Sequence, residues 1–243
     1  MLGRHINHCE DSLTAAVFTH LLHLPTAMWW KILRGACYTD NLPADPGELR
    51  EFDGWPNWSG EGAGNATRVV PDLFLRFPDF DLIIEAKRWD EGMQDPKQWE
   101  RELAGYAREY GEENRPVRMI ALGGIRGQKD ERISLQRRSE RSRSGSGGME
   151  PERWNPCPVH MCQWGRLLDQ CQRKRRALVR AQIQDPETAA HLRILRDLID
   201  LFSWHGFQTG VWFVDLAPEV PRLSQSLTPH HAAFQCLSTR LRR

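Results

Sequence analysis

The chain has 243 residues, 27% charged and 40% apolar, with 33 Lys and Arg against 32 Asp and Glu and a net charge of +1. This length is ample for one sizeable α/β domain, and the balanced charge means that any nucleic-acid surface has to be a local cluster. No apolar run reaches the roughly 18 residues of a membrane span, Met1-Leu2-Gly3-Arg4-His5 lacks the apolar core of a secretory leader, and six scattered cysteines suit a reducing cytoplasm rather than a disulfide scaffold.

Glu10 to Leu24 predicts a helix, since Leu13, Ala16, Val17, Leu21 and Leu24 recur at helical spacing and Pro25 stops it. Ala27 to Arg34 predicts a second, short helix carrying Trp29, Trp30, Ile32 and Leu33. Turn formers fill Asp40 to Gly47, followed by a strand over Leu49–Trp55 and a loop over Ser59–Asn65. Arg68 to Phe77 alternates like one strand, Pro78-Asp79 turns the chain, and Phe80 to Lys87 returns as a second, so a hairpin is expected. Asp95-Pro96 opens a helix, with Asp as N-cap and Pro in the first turn, which runs to Tyr110 and ends at Gly111.

Pro116 to Leu122 reads as a buried strand. Over 126–150 Arg, Ser and Gly dominate, and a mobile basic loop is expected. Val159–Gln163 reads as a strand and Trp164–Gln184 as a helix with the basic run Arg173, Lys174, Arg175 and Arg176. Pro186–Trp204 reads as a helix with the stripe Leu195, Leu198, Ile199 and Phe202, and Thr209–Leu216 as a last strand.

Chemistry concentrates in the hairpin. Asp72 lies early in one strand, and Glu85 and Lys87 lie late in its partner. Residues i and i+2 of a strand share a face, so Glu85 and Lys87 project together, and a turn at Pro78-Asp79 brings Asp72 opposite them. Two carboxylates supply hard oxygen ligands of the kind Mg²⁺ takes. A bound Mg²⁺ activates water and neutralises charge on a transferring phosphoryl group, and a lysine orients that water or stabilises developing charge.

Pro71-Asp72, twelve intervening residues, then Glu85-Ala86-Lys87 resembles the motif of the PD-(D/E)XK nuclease superfamily, and the element order helix, strand, hairpin, helix, strand matches its restriction-endonuclease-like fold over residues 5–165. The resemblance implies an α/β fold, a mixed central sheet flanked by helices, with a helical C-terminal addition. It implies a nuclease core over 1–165 with the mobile basic insertion at about 126–150, and a helical extension over 166–243 packed on that core. The implied activity is Mg²⁺-dependent endonucleolytic hydrolysis of nucleic acid, DNA in the first place, with Mn²⁺ as a substitute ion and 5′-phosphate and 3′-hydroxyl products. Defence against foreign DNA in prokaryotes is the context that analogy suggests. Asp72 and Glu85 would hold the metal, the Ala86 carbonyl would be a further ligand, and Lys87 would orient the water.

Glu10, on the apolar face of the first helix, would support the metal as a first-helix glutamate does in the superfamily. Gln98 would act beside the motif, with Tyr106 as the tyrosine two turns on. Arg88 and the run Arg173 to Arg176 are the candidate nucleic-acid contacts.

Simpler readings stand beside these. Asp72 also fits a turn acid, Glu85 and Lys87 a solvent-facing edge pair, and Glu10 an acid meeting the helix dipole. Gln98 fits a capping box with Asp95, and Tyr106 a core position on a stripe with Trp99, Leu103 and Tyr110. Cys157, His160, Cys162 and Cys171 match no four-ligand zinc spacing. The alternative function is a non-catalytic nucleic-acid-binding or scaffold subunit that keeps the fold; partner proteins and a homo-oligomer stay open. No membrane partner is expected.

Overall fold

A computed structural model of the chain describes residues 9–59, 68–88, 93–125, 129, 131–137 and 157–208. In chain order the elements are α1 (Glu10–Leu22), α2 (Thr26–Ala36), β1 (Glu51–Gly54), β2 (Trp58–Ser59), β3 (Arg68–Val69), β4 (Leu73–Arg76), β5 (Asp81–Lys87) and α3 (Pro96–Tyr110). A single 3₁₀ turn, Gly111–Glu113, leads to β6 (Val117–Gly123). Residues 131–137 are helical (α4). The chain then forms β7 (Val159–Cys162), α5 (Trp164–Ala181) and α6 (Pro186–Trp204).

The main sheet is mixed, in the order β1-β4-β5-β6-β7. β1, β4 and β5 form an antiparallel meander, and β5, β6 and β7 run parallel. Parallel neighbours need a crossover, and α3 supplies the one between β5 and β6. Strand alternation gives the sheet two apolar faces. Leu73, Leu75, Leu82, Ile84, Ala86, Ile120 and Leu122 pack with α1, α2, α5 and α6 in one cluster. Phe74, Ile83, Met119 and Ala121 pack with Trp99, Leu103 and Tyr106 of α3 in the other. The protein is therefore a three-layer α/β/α arrangement with a mixed five-stranded sheet at its centre.

The single strand expected over Arg68–Phe77 is two strands. Arg68–Val69 pairs with Trp58–Ser59 in a separate two-stranded sheet, and Leu73–Arg76 enters the main sheet. Pro71 has no N–H for a ladder, so the break falls where a strand can least continue. The small sheet lies against α3 at Gly105, where an added Cβ would meet Val69 and Trp58 side-chain atoms at 3.3–3.4 Å.

Within the stretch expected as a mobile basic loop, 131–137 is helical and Leu135 is buried in the α3-side cluster. Residues 138–150 and the strand expected at Thr209–Leu216 lie outside the described residues. The boundary expected near 166 falls inside α5, and Met1–Gln208 forms one compact unit. Trp164, Leu167, Leu195, Leu198 and Phe202 share the cluster that holds Leu13 and Val17. Among the described residues no helix is long and apolar enough to cross a membrane.

Candidate active site

The antiparallel register pairs Leu73 with Ile84, so the next step places Asp72 opposite Glu85. On the other side Gly54 pairs with Leu73, which puts Trp55 opposite Asp72. Trp55, Asp72 and Glu85 thus form one row across three segments at the end of the sheet where β5 finishes. Asp72 is 7% exposed and Glu85 1% exposed.

Each acid is held by donors around it. Asp72 accepts from the Ala86 backbone N–H through Oδ2 at 2.7 Å and from the Trp55 indole N–H through Oδ1 at 3.2 Å. Glu85 Oε1 accepts from Gln98 Nε2 at 2.5 Å and from the Lys87 ammonium. That ammonium also donates to Glu10 Oε1 at 3.2 Å and to the Ala86 carbonyl at 3.1 Å. Glu10 Oε2 accepts the backbone N–H of Arg88 at 2.7 Å, which ties the first turn of α1 to the end of β5.

Five of the residues singled out by sequence, Glu10, Asp72, Glu85, Lys87 and Gln98, therefore converge. The Ala86 carbonyl and the Arg88 backbone join them. The capping-box alternative for Gln98 is replaced: Asp95 accepts from Lys97 N at 3.1 Å, and the Gln98 side chain reaches Glu85 instead. Tyr106 is elsewhere, donating to Asp81 at 2.8 Å at the opposite end of β5. Cys157 belongs to the α3-side cluster, whereas Cys162 and Cys171 belong to the other. These thiols share no zinc site among the described residues.

Four residues escaped the sequence reading. Asp11 brings a carboxylate oxygen to Glu10 and Asp72, the three lying within 4.8 Å of one another. Glu102, one helical turn after Gln98, is buried against Glu85 and Gln98. Its spacing of four from Gln98 was the available signal, since both then face the sheet. Gln94 donates to the Glu85 carbonyl at 3.0 Å and accepts from Trp99 Nε1 at 2.7 Å, which pins the backbone under the acid. Trp55 is the fourth.

The electrostatics follow from crowding. The Lys87 ammonium pairs with Glu85 and Glu10, with Asp72 close by. Burial, and then the Glu85 charge, push the Asp72 carboxyl up to about 7. Burial also raises Glu85 against the opposing pull of Lys87. Burial and the Glu85 charge hold Glu102 well above the usual carboxylate range, which favours its neutral, donating form. Burial works against the charge on Lys87, but Glu85, Glu10 and Asp72 together outweigh it and raise Lys87, so it stays an ammonium.

The end of β5 is fixed from a third direction. Trp164, the first residue of α5, donates its indole N–H to the Lys87 carbonyl at 3.2 Å. Gly123 passes beneath at φ +72, where a Cβ would lie 2.0 Å from that same carbonyl oxygen. Only glycine allows this approach. No family model matches the chain, and neither a curated protein nor a solved structure matches it.

Proposed function

We propose that this chain is a metal-dependent nuclease with a restriction-endonuclease-like fold, hydrolysing phosphodiester bonds of nucleic acid, DNA in the first place. The observation that carries the reading is the convergence of Asp72, Glu85 and Lys87 with Glu10 and Gln98 at one end of the sheet. Two buried carboxyl groups, Asp72 and Glu85, lie there beside the half-buried Glu10 and the exposed Asp11, and buried like charges this close favour a bound cation or protons.

Mg²⁺ fits the donors. It takes hard oxygens, keeps several waters and uses one or two carboxylates plus substrate phosphate. Asp72 and Glu85, with the Ala86 carbonyl, would hold it, and Glu10 and Asp11 would steady its waters. A metal in this position supplies charge neutralisation and an acidified water. Lys87, fixed by the Ala86 carbonyl and Glu10, orients the attacking water, and Gln98 and Glu102 set the direction of the Glu85 carboxylate.

The basic run on α5 supports a nucleic-acid partner. Arg173 and Arg175 are exposed and Lys174 and Arg176 half-buried; Arg173 pairs with Asp169 at 2.7 Å. Because α5 starts at the Lys87 carbonyl, this run lies roughly 15 Å further along the helix axis, within reach of a backbone running through the site.

The test is cleavage of plasmid, single-stranded and RNA substrates by the full chain with Mg²⁺ or Mn²⁺. Metal-dependent cutting that disappears in both Asp72→Ala and Lys87→Ala is the expected result. Variants that cut as well as the parent remove the site assignment, and no cutting with either ion removes the nuclease reading.

A further inference from the structure

We infer that Trp55 is a stacking surface for an unpaired nucleobase beside the scissile phosphate, so that exposed single strand, not continuous duplex, is the preferred substrate. This rests on the nuclease reading above and names its substrate class.

Trp55 holds a backbone conformation that its side chain opposes. Its φ is +57, a region a bulky aromatic rarely enters. Pro56 follows, and a residue before proline is normally driven to extended backbone. Such strain persists only where surrounding contacts impose it. Here they are two bonds to one residue: Trp55 N–H donates to the Asp72 carbonyl at 2.9 Å and the indole N–H to Asp72 Oδ1 at 3.2 Å.

The strain does not serve burial. Trp55 remains 37% exposed, just past the edge strand that carries the 42% exposed Phe52; of the other described tryptophans Trp29, Trp30, Trp58, Trp99 and Trp164 are buried and Trp204, at the end of α6, is 48% exposed. The chain thus fixes an open aromatic ring in contact with a proposed metal ligand. Because the indole N–H is already engaged by Asp72, the part of the ring left to solvent offers apolar carbon and no polar reading edge. That is the chemistry of sequence-tolerant base stacking, not of base-edge recognition. In continuous duplex every base face is covered by its neighbours, so the ring is usable only by a single strand, a flap or a frayed end.

The test compares kcat/KM of the full chain on a single-stranded oligonucleotide and on a relaxed, covalently closed duplex circle at equal phosphate concentration. The wild type is expected to favour the single strand. Trp55→Ala lowers kcat/KM on both substrates through the lost bond to Asp72 and lowers the single-strand value on the order of tenfold further, mainly through KM, so the preference disappears. Trp55→Phe keeps a ring but loses the N–H, and retains most of the preference. A 2-aminopurine placed beside the cut site is quenched by wild type and Trp55→Phe but not by Trp55→Ala. If Trp55→Ala does not fold, Trp55→Leu replaces it in the same contrast.

Equal losses on both substrates in the Ala and Phe variants make Trp55 only an anchor for Asp72 and overturn the inference. So does an unchanged ratio in Trp55→Ala, the result expected if the ring docks a protein instead. An active wild type that prefers duplex overturns stacking alone, whereas a wild type that cuts nothing overturns the nuclease reading with it.

Discussion

Strand β5 carries a buried carboxylate at each end, and the two are treated in opposite ways. Asp81 accepts from Arg76 at 3.1 and 3.2 Å, from Arg115 at 3.2 Å and from Tyr106 at 2.8 Å. Two guanidinium groups and a phenol satisfy one acid, which closes the polar network. Glu85, four residues on and on the same face, shares one ammonium with Glu10 and lies near Asp72 and Glu102. The first end pairs its acid with two cations; at the second, among the described residues, burial and neighbouring acids raise both Asp72 and Glu85. The same carboxylate chemistry on a common strand thus gives a fastening at one end and, at the other, the candidate site, and the neighbouring charges make the difference.

Substitution at the two ends should split this contrast most sharply. Asp81→Ala removes the acceptor that two half-buried guanidinium groups share, although Arg76 keeps Glu113 and Arg115 keeps the Phe77 and Pro78 carbonyls, and is expected to cost about 1–3 kcal/mol, at about 2–4 °C of Tm per kcal/mol for a chain of this size. Thermal unfolding checks it, and a loss within error would deny Asp81 its role. Asp72→Asn in metal-free protein at pH 8 relieves repulsion but turns one of the two acceptors of Asp72 into an NH2 facing a donor N–H, so Tm should change by less than in Asp81→Ala while cleavage is abolished. Cleavage at the parent rate would remove Asp72 from the site.

Acidity discriminates next. Burial lowers His160 to about 4 from an ordinary value of 6.5. A base whose folded pKa is depressed contributes stability present above 6.5 and lost as pH falls toward 4, roughly 3 kcal/mol in all. Asp72, raised from 3.8 to about 7, has the reverse slope: metal-free stability falls as pH rises across that window. The Tm gain on adding Mg²⁺ should therefore be greater at pH 8 than at pH 6, because fewer protons then compete for Asp72. Equal gains would remove Asp72 from the cation site.

The smallest effect concerns the α5 run. Neutralising Arg173 to Arg176 should reduce the salt slope of nucleic-acid binding by about 0.7–0.9 per lost phosphate contact and leave Tm nearly unchanged. An unchanged slope would exclude the run from the interface.

The sequence made the strands, the helix caps and the acid–acid–lysine group legible because each depends on local spacing. Asp95-Pro96 and Asp185-Pro186 both open helices at the N-cap they announce. What it did not make legible depends on distant partners. The α6 stripe says that the helix packs, not that it packs on α1. Glu102 resembles any acid of a charged helix until Glu85 is placed beside it. Trp55 is one of ten tryptophans, and its left-handed backbone is imposed by Asp72, seventeen residues away. Pro71 was visible as a strand breaker, yet the alternation around it outweighed the missing donor in the single-strand reading.

The carbonyl of Lys87 is gripped by Trp164, and its ammonium by Glu10, so the complete arrangement spans more than 150 positions of the chain. Contacts this remote close late. A nascent polypeptide still on the ribosome, with α5 unmade, has its acids and lysine translated but not clamped. The arrangement is therefore assembled only after α5 has been made, so the acids and the lysine are present in the growing chain before the α5 contact fixes them at this end of β5.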